Sequence, residues 1–243
     1  MKGKVAMITG ASVGIGRAVA LKMAAEGVRL VLLDINAETL QNLQEELETI
    51  GAEVLTYVCD VSIEEKVNAV VMDAMKKFGK IDILVNNAAL WRHSQSFLET
   101  STETWRKFID INIMSVVYCA KAVLPKMLKN GYGRIVNVAS VAGVYGNADM
   151  AVYSATKGAV IAMTKSLAKE VIGGGVVVNS VSPGTVSDSG NPDIDHFMPT
   201  ELSYIGRTGT DRENAELICF LASEKASYIV GQNIQIDGCR KKA

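Results

Sequence analysis

The chain has 243 residues, 49% of them hydrophobic, which is enough for the core of one large α/β domain. Its 25 Lys and Arg balance 26 Asp and Glu, and the only basic run is Arg240-Lys241-Lys242, so the charge pattern excludes a nucleic-acid-binding surface. No apolar stretch of the roughly 18–20 residues of a membrane span is expected, and residues 1–10 enter a strand too soon for a signal peptide.

In chain order, short Val-, Ile- and Leu-rich runs predict strands at 4–9, 29–34, 53–58, 83–86, 134–140, 176–182 and 233–237. They do not alternate with polar residues, which is the pattern of strands buried on both faces. Helices are expected between them at 15–25, 37–50, 64–77, 102–129, 155–171 and 211–222; Val67, Val70, Val71, Ala74 and Met75 keep helical spacing in the third. Alternation of strand and helix predicts a single α/β domain over 1–243, a doubly wound parallel sheet of about seven strands with helices on both faces. The least regular stretch, 184–210, has Pro183, Pro192 and Pro199 at or beside it and reads as a lid. Cys59, Cys119, Cys219 and Cys239 form no C-x-x-C pair and read as reduced thiols of a cytoplasmic protein. His93 and His196 have no ligand-spaced partners, so no metal is expected.

The first strand runs into TGASVGIG (residues 9–16), with Gly10, Gly14 and Gly16 in a G-x-x-x-G-x-G spacing. Gly10 permits a sharp exit from the strand. Gly14 and Gly16 let main-chain N–H groups approach a diphosphate at a helix N-terminus, whose partial charge favours anions; Ser12, Val13 and Ile15 complete the turn. Asp34 ends the second strand, where a carboxylate accepts from both adenosine ribose hydroxyls and repels a 2′-phosphate. Val13 and Ile35 offer no cation to such a phosphate, so NAD (NADH) is the expected cofactor in preference to NADP.

Further along stand DV (60–61), NNA (86–88), Asn112, Ser140, YSATK (153–157), SPG (182–184) and IDG (236–238). With the glycine turn, in this order and spacing, they make the chain resemble the short-chain dehydrogenase/reductase family from about residue 4 to 238. The resemblance implies a Rossmann-type fold, nicotinamide-dependent oxidoreduction of an alcohol or carbonyl, and a homotetramer or homodimer, with helices 102–129 and 155–171 as interface surfaces. It gives catalytic roles to Asn112, Ser140, Tyr153 and Lys157. It sets Asp60 and Val61 around adenine, Asn87 and Ala88 along the cofactor, and Pro183, Gly184 and Val186 beside the nicotinamide.

Tyr153 and Lys157, four residues apart on a helix, share a face. An ammonium there is expected to lower the phenol's pKa and make Tyr153 the base, while Ser140 orients the substrate oxygen. By the resemblance, Lys157 also bonds the nicotinamide ribose, and Asn112 bends its helix and holds a water that passes protons to Lys157. The chain departs from the family at Ala89, Asp188 and Cys239, where glycine, a hydroxyl residue and glycine are usual. Trp91 and Tyr145, with Val144, Phe197 and Met198, suggest a mainly apolar, cyclic or steroid-like small-molecule substrate; Arg92 and His93 are the polar residues nearby. The expected reaction is therefore interconversion of a secondary alcohol and its ketone. A 3-oxoacyl thioester (acyl-carrier) reductase is the alternative enzyme, and a non-catalytic dinucleotide-sensing protein the alternative of another class.

Overall fold

The five residues VAMIT carry one polar side chain, at their very end, and all five are buried. In the computed structural model, which describes residues 1–187 and 197–241, they form β1 (Val5–Thr9). The further strands are β2 (Arg29–Asp34), β3 (Val54–Val58), β4 (Ile83–Asn86), β5 (Gly133–Val138), β6 (Val176–Pro183) and β7 (Asn233–Ile236). Every pairing is parallel, in the order β3-β2-β1-β4-β5-β6-β7. The expected doubly wound α/β sheet is thus present.

The sheet needs cover on both sides because its strands are apolar on both faces. Along β1, Ala6 and Ile8 pack with helices α1 (Gly14–Ala25), α2 (Ala37–Thr49) and α8 (Asp211–Ala222). Val5 and Met7 point the other way, toward α3 (Glu64–Phe78), α5 (Ser115–Asn130) and α7 (Ala151–Val171). Two cores sandwich one sheet, as the two-residue side-chain period of a strand requires.

The single helix expected at 102–129 is in fact α4 (Thr102–Ile109) and α5, joined by a π turn at Asp110–Met114. Together Thr102–Asn130 are long and apolar enough to cross a membrane by length and composition, with a mean hydropathy of 1.5 over the most apolar window, which corrects the expectation that no such stretch exists. Cys119, Ala120, Val123 and Met127 of this stretch instead join the core beneath the sheet. A four-residue helix unforeseen from sequence, α6 (Ala142–Tyr145), follows β5, and α7 starts at Ala151, earlier than the expected residue 155. Tyr153 therefore lies in the first turn of α7.

The ends of the irregular stretch 184–210 are paired. Val186 bridges Gly209, and Thr208 and Met198 exchange bonds of 2.9 and 3.0 Å. Asp188, Ser189, Pro192 and His196 lie outside the described residues. All four cysteines are free, and Cys59, Cys119 and Cys219 are buried.

Candidate active site

Chain order reverses between β1 and β4, and in doubly wound sheets the crevice at that reversal, beyond the strands' carboxyl ends, takes the ligand. The glycine turn leaves β1 there and Asn86-Asn87-Ala88 leaves β4 there. Thr9 stitches the two exits: its Oγ1 accepts from the Asn87 and Ala88 amides, both at 3.0 Å. Asn87 returns the contact, its Nδ2 donating to the carbonyls of Thr9 at 3.1 Å and Gly10 at 2.8 Å. The Asn87 side chain thus holds the turn itself, and Thr9, which sequence reasoning missed, is its partner; a polar residue closing an apolar strand was the available signal.

The three glycines do different work. At Gly10, with φ of 59°, a Cβ would lie 2.8 Å from Ala88 Cα; at Gly16 it would lie 2.1 Å from the Gly10 carbonyl oxygen. Both are packing requirements between main chains that cannot yield. Gly14 (φ 55°) has only the Asp211 carboxylate near its missing Cβ, at 3.6 Å, so open space remains over the helix end. Gly16→Ala is expected to weaken NADH binding at least about a hundredfold or to leave the chain unfolded, since a clash with backbone is relieved only by moving α1. NADH fluorescence titration alongside circular dichroism separates the two results, and wild-type affinity would contradict the packing argument.

Side chains cap α2 (Asn36), α4 (Ser101) and α8 (Thr210, in a capping box with Glu213), whereas Val13 before α1 has no capping side chain and α1 has no acid in its first turn. Beside the glycine turn Asp34 is nearly buried; one carboxylate oxygen accepts from the Ser12 amide at 2.9 Å, the other from the Asn36 amide at 3.1 Å. The Ser12 hydroxyl in turn meets Thr39 Oγ1 at 2.7 Å. The exposed side chains beside Asp34 include the apolar Val13, Ile35 and, at the end of β3, Val58. The nearby cation Arg17 is paired with Glu46. Ile15 packs partly into the core, Val61 is buried in the core, and Asp60 accepts from the amide and hydroxyl of Ser62 at 3.0 and 2.6 Å. A glycine turn opening α1, with the Asp34 carboxylate beside it at the end of β2, fits a dinucleotide.

At the next strand end, α6 turns back onto α7. The approach is so close that a Cβ on Gly143 would lie 2.5 Å from the Lys157 carbonyl carbon and 2.6 Å from the Gly158 nitrogen. This contact, not read from the sequence, brings Ser140 over α7. The Ser140 hydroxyl accepts from the Ala142 amide at 3.1 Å and faces the Tyr153 phenol. Lys157 lies along the same helix face, its Nζ 5.9 Å from the Tyr153 ring centre, and donates to the Val138 carbonyl at 2.7 Å. Burial pushes the Lys157 amine down to about 8.

Burial also raises the Tyr153 phenol above its ordinary range, and Ser140 only partly opposes this. The expectation that Lys157 lowers the phenol's pKa is thereby corrected: its Nζ is tied to a main-chain carbonyl, and desolvation is the larger effect on the neutral-favouring side.

Asn112 sits in the π turn, 1% exposed. Its Oδ1 accepts from the Leu90 amide at 2.7 Å, and its Nδ2 donates to the Leu90 carbonyl at 2.9 Å and to Thr156 Oγ1 at 3.0 Å. The amide is fully engaged, so the side chain fixes the loop after β4 against α7.

Pro183 ends β6, its carbonyl accepting from the Val141 amide at 3.1 Å, and Gly184 packs so closely on β7 that a Cβ would lie 2.8 Å from Asp237 Cα. Val186 continues toward Gly209. Trp91 and Tyr145 are both partly exposed. Trp91 stacks under the Arg92 guanidinium, and the Tyr145 hydroxyl donates to Gln235 Oε1 at 2.6 Å. His93 packs its ring on Phe108.

Residues 10–239 match the family described as enoyl-(acyl carrier protein) reductase. The chain is 40% identical over 241 residues to the 3-oxoacyl-[acyl-carrier-protein] reductase FabG of Thermotoga maritima, covering 98% of each. It is 37% identical over 244 residues to a 2-dehydro-3-deoxy-L-rhamnonate dehydrogenase (NAD(+)) of Sphingomonas sp., covering 98% of this chain and 95% of that protein. The crystal structure of an NAD+-bound xylitol dehydrogenase superposes with a TM-score of 0.90 at 32% identity, over 98% of both chains. Glycine turn, strand order and overall likeness agree: the chain belongs to the short-chain dehydrogenase/reductase family of nicotinamide-dependent oxidoreductases.

Proposed function

We propose that the protein interconverts a secondary alcohol and its ketone with NAD(H), using Tyr153 as the acid/base. The observation that carries this reading is the half-buried phenol of Tyr153 beside the Ser140 hydroxyl, one helical turn from the buried amine of Lys157. A bound nicotinamide supplies the site that accepts or donates the hydride. The protein's residues do the rest. Ser140 orients the substrate oxygen toward the phenol, and Tyr153 gives that oxygen a proton during reduction or takes it during oxidation. Lys157 holds the cofactor's ribose side. Asn112 fixes Leu90, and with it the wall of the substrate pocket, against α7.

Gly10, Ser12, Val13, Gly14, Ile15, Gly16 and Asp34 hold the adenosine diphosphate half; Asp60 and Val61 border adenine. Asn87 and Ala88 support the turn from below, while Pro183, Gly184 and Val186 border the nicotinamide side. Trp91 and Tyr145 line an apolar substrate pocket. The enzyme works in the cytoplasm as a homo-oligomer.

NAD preference rests on Asp34, whose carboxylate would repel a 2′-phosphate, the nearby Arg17 being already paired with Glu46. Like charges brought together cost several kcal/mol, so kcat/KM for NAD should exceed that for NADP by about two orders of magnitude. A preference for NADP would overturn the assignment. Activity is sought at 340 nm with NAD across secondary alcohols, sugars, hydroxy acids and hydroxysteroids, and turnover confined to none of them would count against the reading.

The 40% identity to a 3-oxoacyl-[acyl-carrier-protein] reductase favours a second reading, reduction of a 3-oxoacyl thioester. Faster turnover of acetoacetyl thioesters with NADPH than of any alcohol with NAD would establish it. Tight NADH binding without turnover of either class would instead point to a dinucleotide sensor.

A further inference from the structure

Asn147 stands at the hinge between α6 and α7, six residues before Tyr153. Its carbonyl accepts from the Met150 amide at 3.3 Å, its amide donates to Ser154 Oγ at 3.3 Å, and its Nδ2 points at the Met150 sulfur at 3.7 Å. Asn147 therefore builds the first turn of the helix that carries Tyr153, a helix with no side-chain cap of its own. The remaining oxygen of its amide accepts from Arg240, 93 residues away, at 3.0 Å.

Arg240 is itself anchored. Ser203 and Arg240 form an antiparallel bridge. Tyr204 donates to the Cys239 carbonyl at 2.9 Å, Ile205 to the Gly238 carbonyl at 3.2 Å, and Lys241 to the Leu202 carbonyl at 2.9 Å. The segment 238–241 thus straps the returning end of stretch 184–210, and Cys239 takes a left-handed conformation (φ 60°) to do so. Tyr145 adds a second tie from α6 to β7 through Gln235. Arg240 is the point where three parts meet: residues 202–205, the strap after β7, and the start of α7.

We propose that Arg240 is a positioning residue: through Asn147 it fixes the first turn of α7, and so the Tyr153 hydroxyl, to the paired segments 202–205 and 238–241. The inference rests on the assignment of Tyr153 as acid/base, but its structural half is testable without turnover. Hydrogen exchange of the free protein over residues 145–157 should quicken about tenfold in Arg240→Ala, the scale of one lost charge-assisted hydrogen bond. Exchange in α1 should stay unchanged. Asn147→Ala should give the same increase, the double variant no more than either alone, and Arg240→Lys, which keeps a donor, a smaller one.

With the best alcohol of the panel, Arg240→Ala should lower kcat about tenfold and leave the NADH dissociation constant within twofold; Arg240→Lys should recover part of that kcat. Unchanged exchange at 145–157, or single effects that multiply in the double variant, would overturn the proposal. So would faster exchange with kcat unaltered. Full activity in Tyr153→Phe, measured in parallel, would instead remove the underlying acid/base assignment and leave the exchange result standing.

Discussion

Replacing Tyr153 with Phe should lower kcat about a thousandfold while the NADH dissociation constant stays within twofold of wild type. General acid–base catalysis contributes roughly 10²–10⁴ in rate, and the phenol oxygen is the only heavy atom the substitution removes from a half-buried ring. A steady-state assay with the best panel alcohol, paired with NADH fluorescence titration, checks both halves. Retained turnover would show that another group moves the proton. The pH dependence follows from the sign of the Tyr153 shift. Burial raises the phenol's pKa, so the proton stays on through the neutral range. Carbonyl reduction, which needs that proton, should be fast at neutral pH and fall in the alkaline range. Alcohol oxidation, which needs the phenolate, should rise with pH over the same interval.

Lys157→Met should stabilise the fold at pH 7 and still lower kcat by about a hundredfold or more. The amine is 3% exposed, and burial brings it down to about 8, against roughly 10.4 in an unfolded chain. Between these values the unfolded state binds the proton more readily, so stability rises with pH there. Below about pH 8 the full cost of a buried ammonium is present, only partly offset by its bond to the Val138 carbonyl. A methionine of similar length avoids that cost. A net gain on the order of 1 kcal/mol corresponds to about 2–4 °C in Tm at this chain length. The difference in Tm between variant and wild type should shrink as pH rises from 8 toward 10.5. A lower Tm for the variant at pH 7 would mean that the ammonium holds the site together instead of straining it. The stability given up for a buried cation is what a site pays when function needs charge in a dry place.

The two variants bear on different halves of the same geometry. Tyr153 tests the proton path; Lys157 tests why the path is kept out of water. Gly143 connects them, because only a residue without a side chain lets α6 lie on the Lys157 main chain and bring Ser140 to the phenol.

Much of this was legible in the sequence. Unbroken apolar runs such as VAMIT can be satisfied only by cover on both faces, so the parallel sheet followed from composition along the chain. The glycine spacing, Asp34 at a strand end and the four-residue step from Tyr153 to Lys157 are local facts, and local facts survive translation into structure. What the packing alone decided are the relations between distant segments and the dielectric they create. Asn112 and Leu90 are 22 residues apart, Asn87 and Gly10 are 77, Arg240 and Asn147 are 93. No periodicity announces such pairs, so Asn87 read as a cofactor contact when its amide holds the glycine turn. The phenol's direction of shift was misjudged for the same reason. A sequence shows that a cation is near in number, but burial is a property of everything packed around the ring, and desolvation outweighs an ammonium that a main-chain carbonyl already holds.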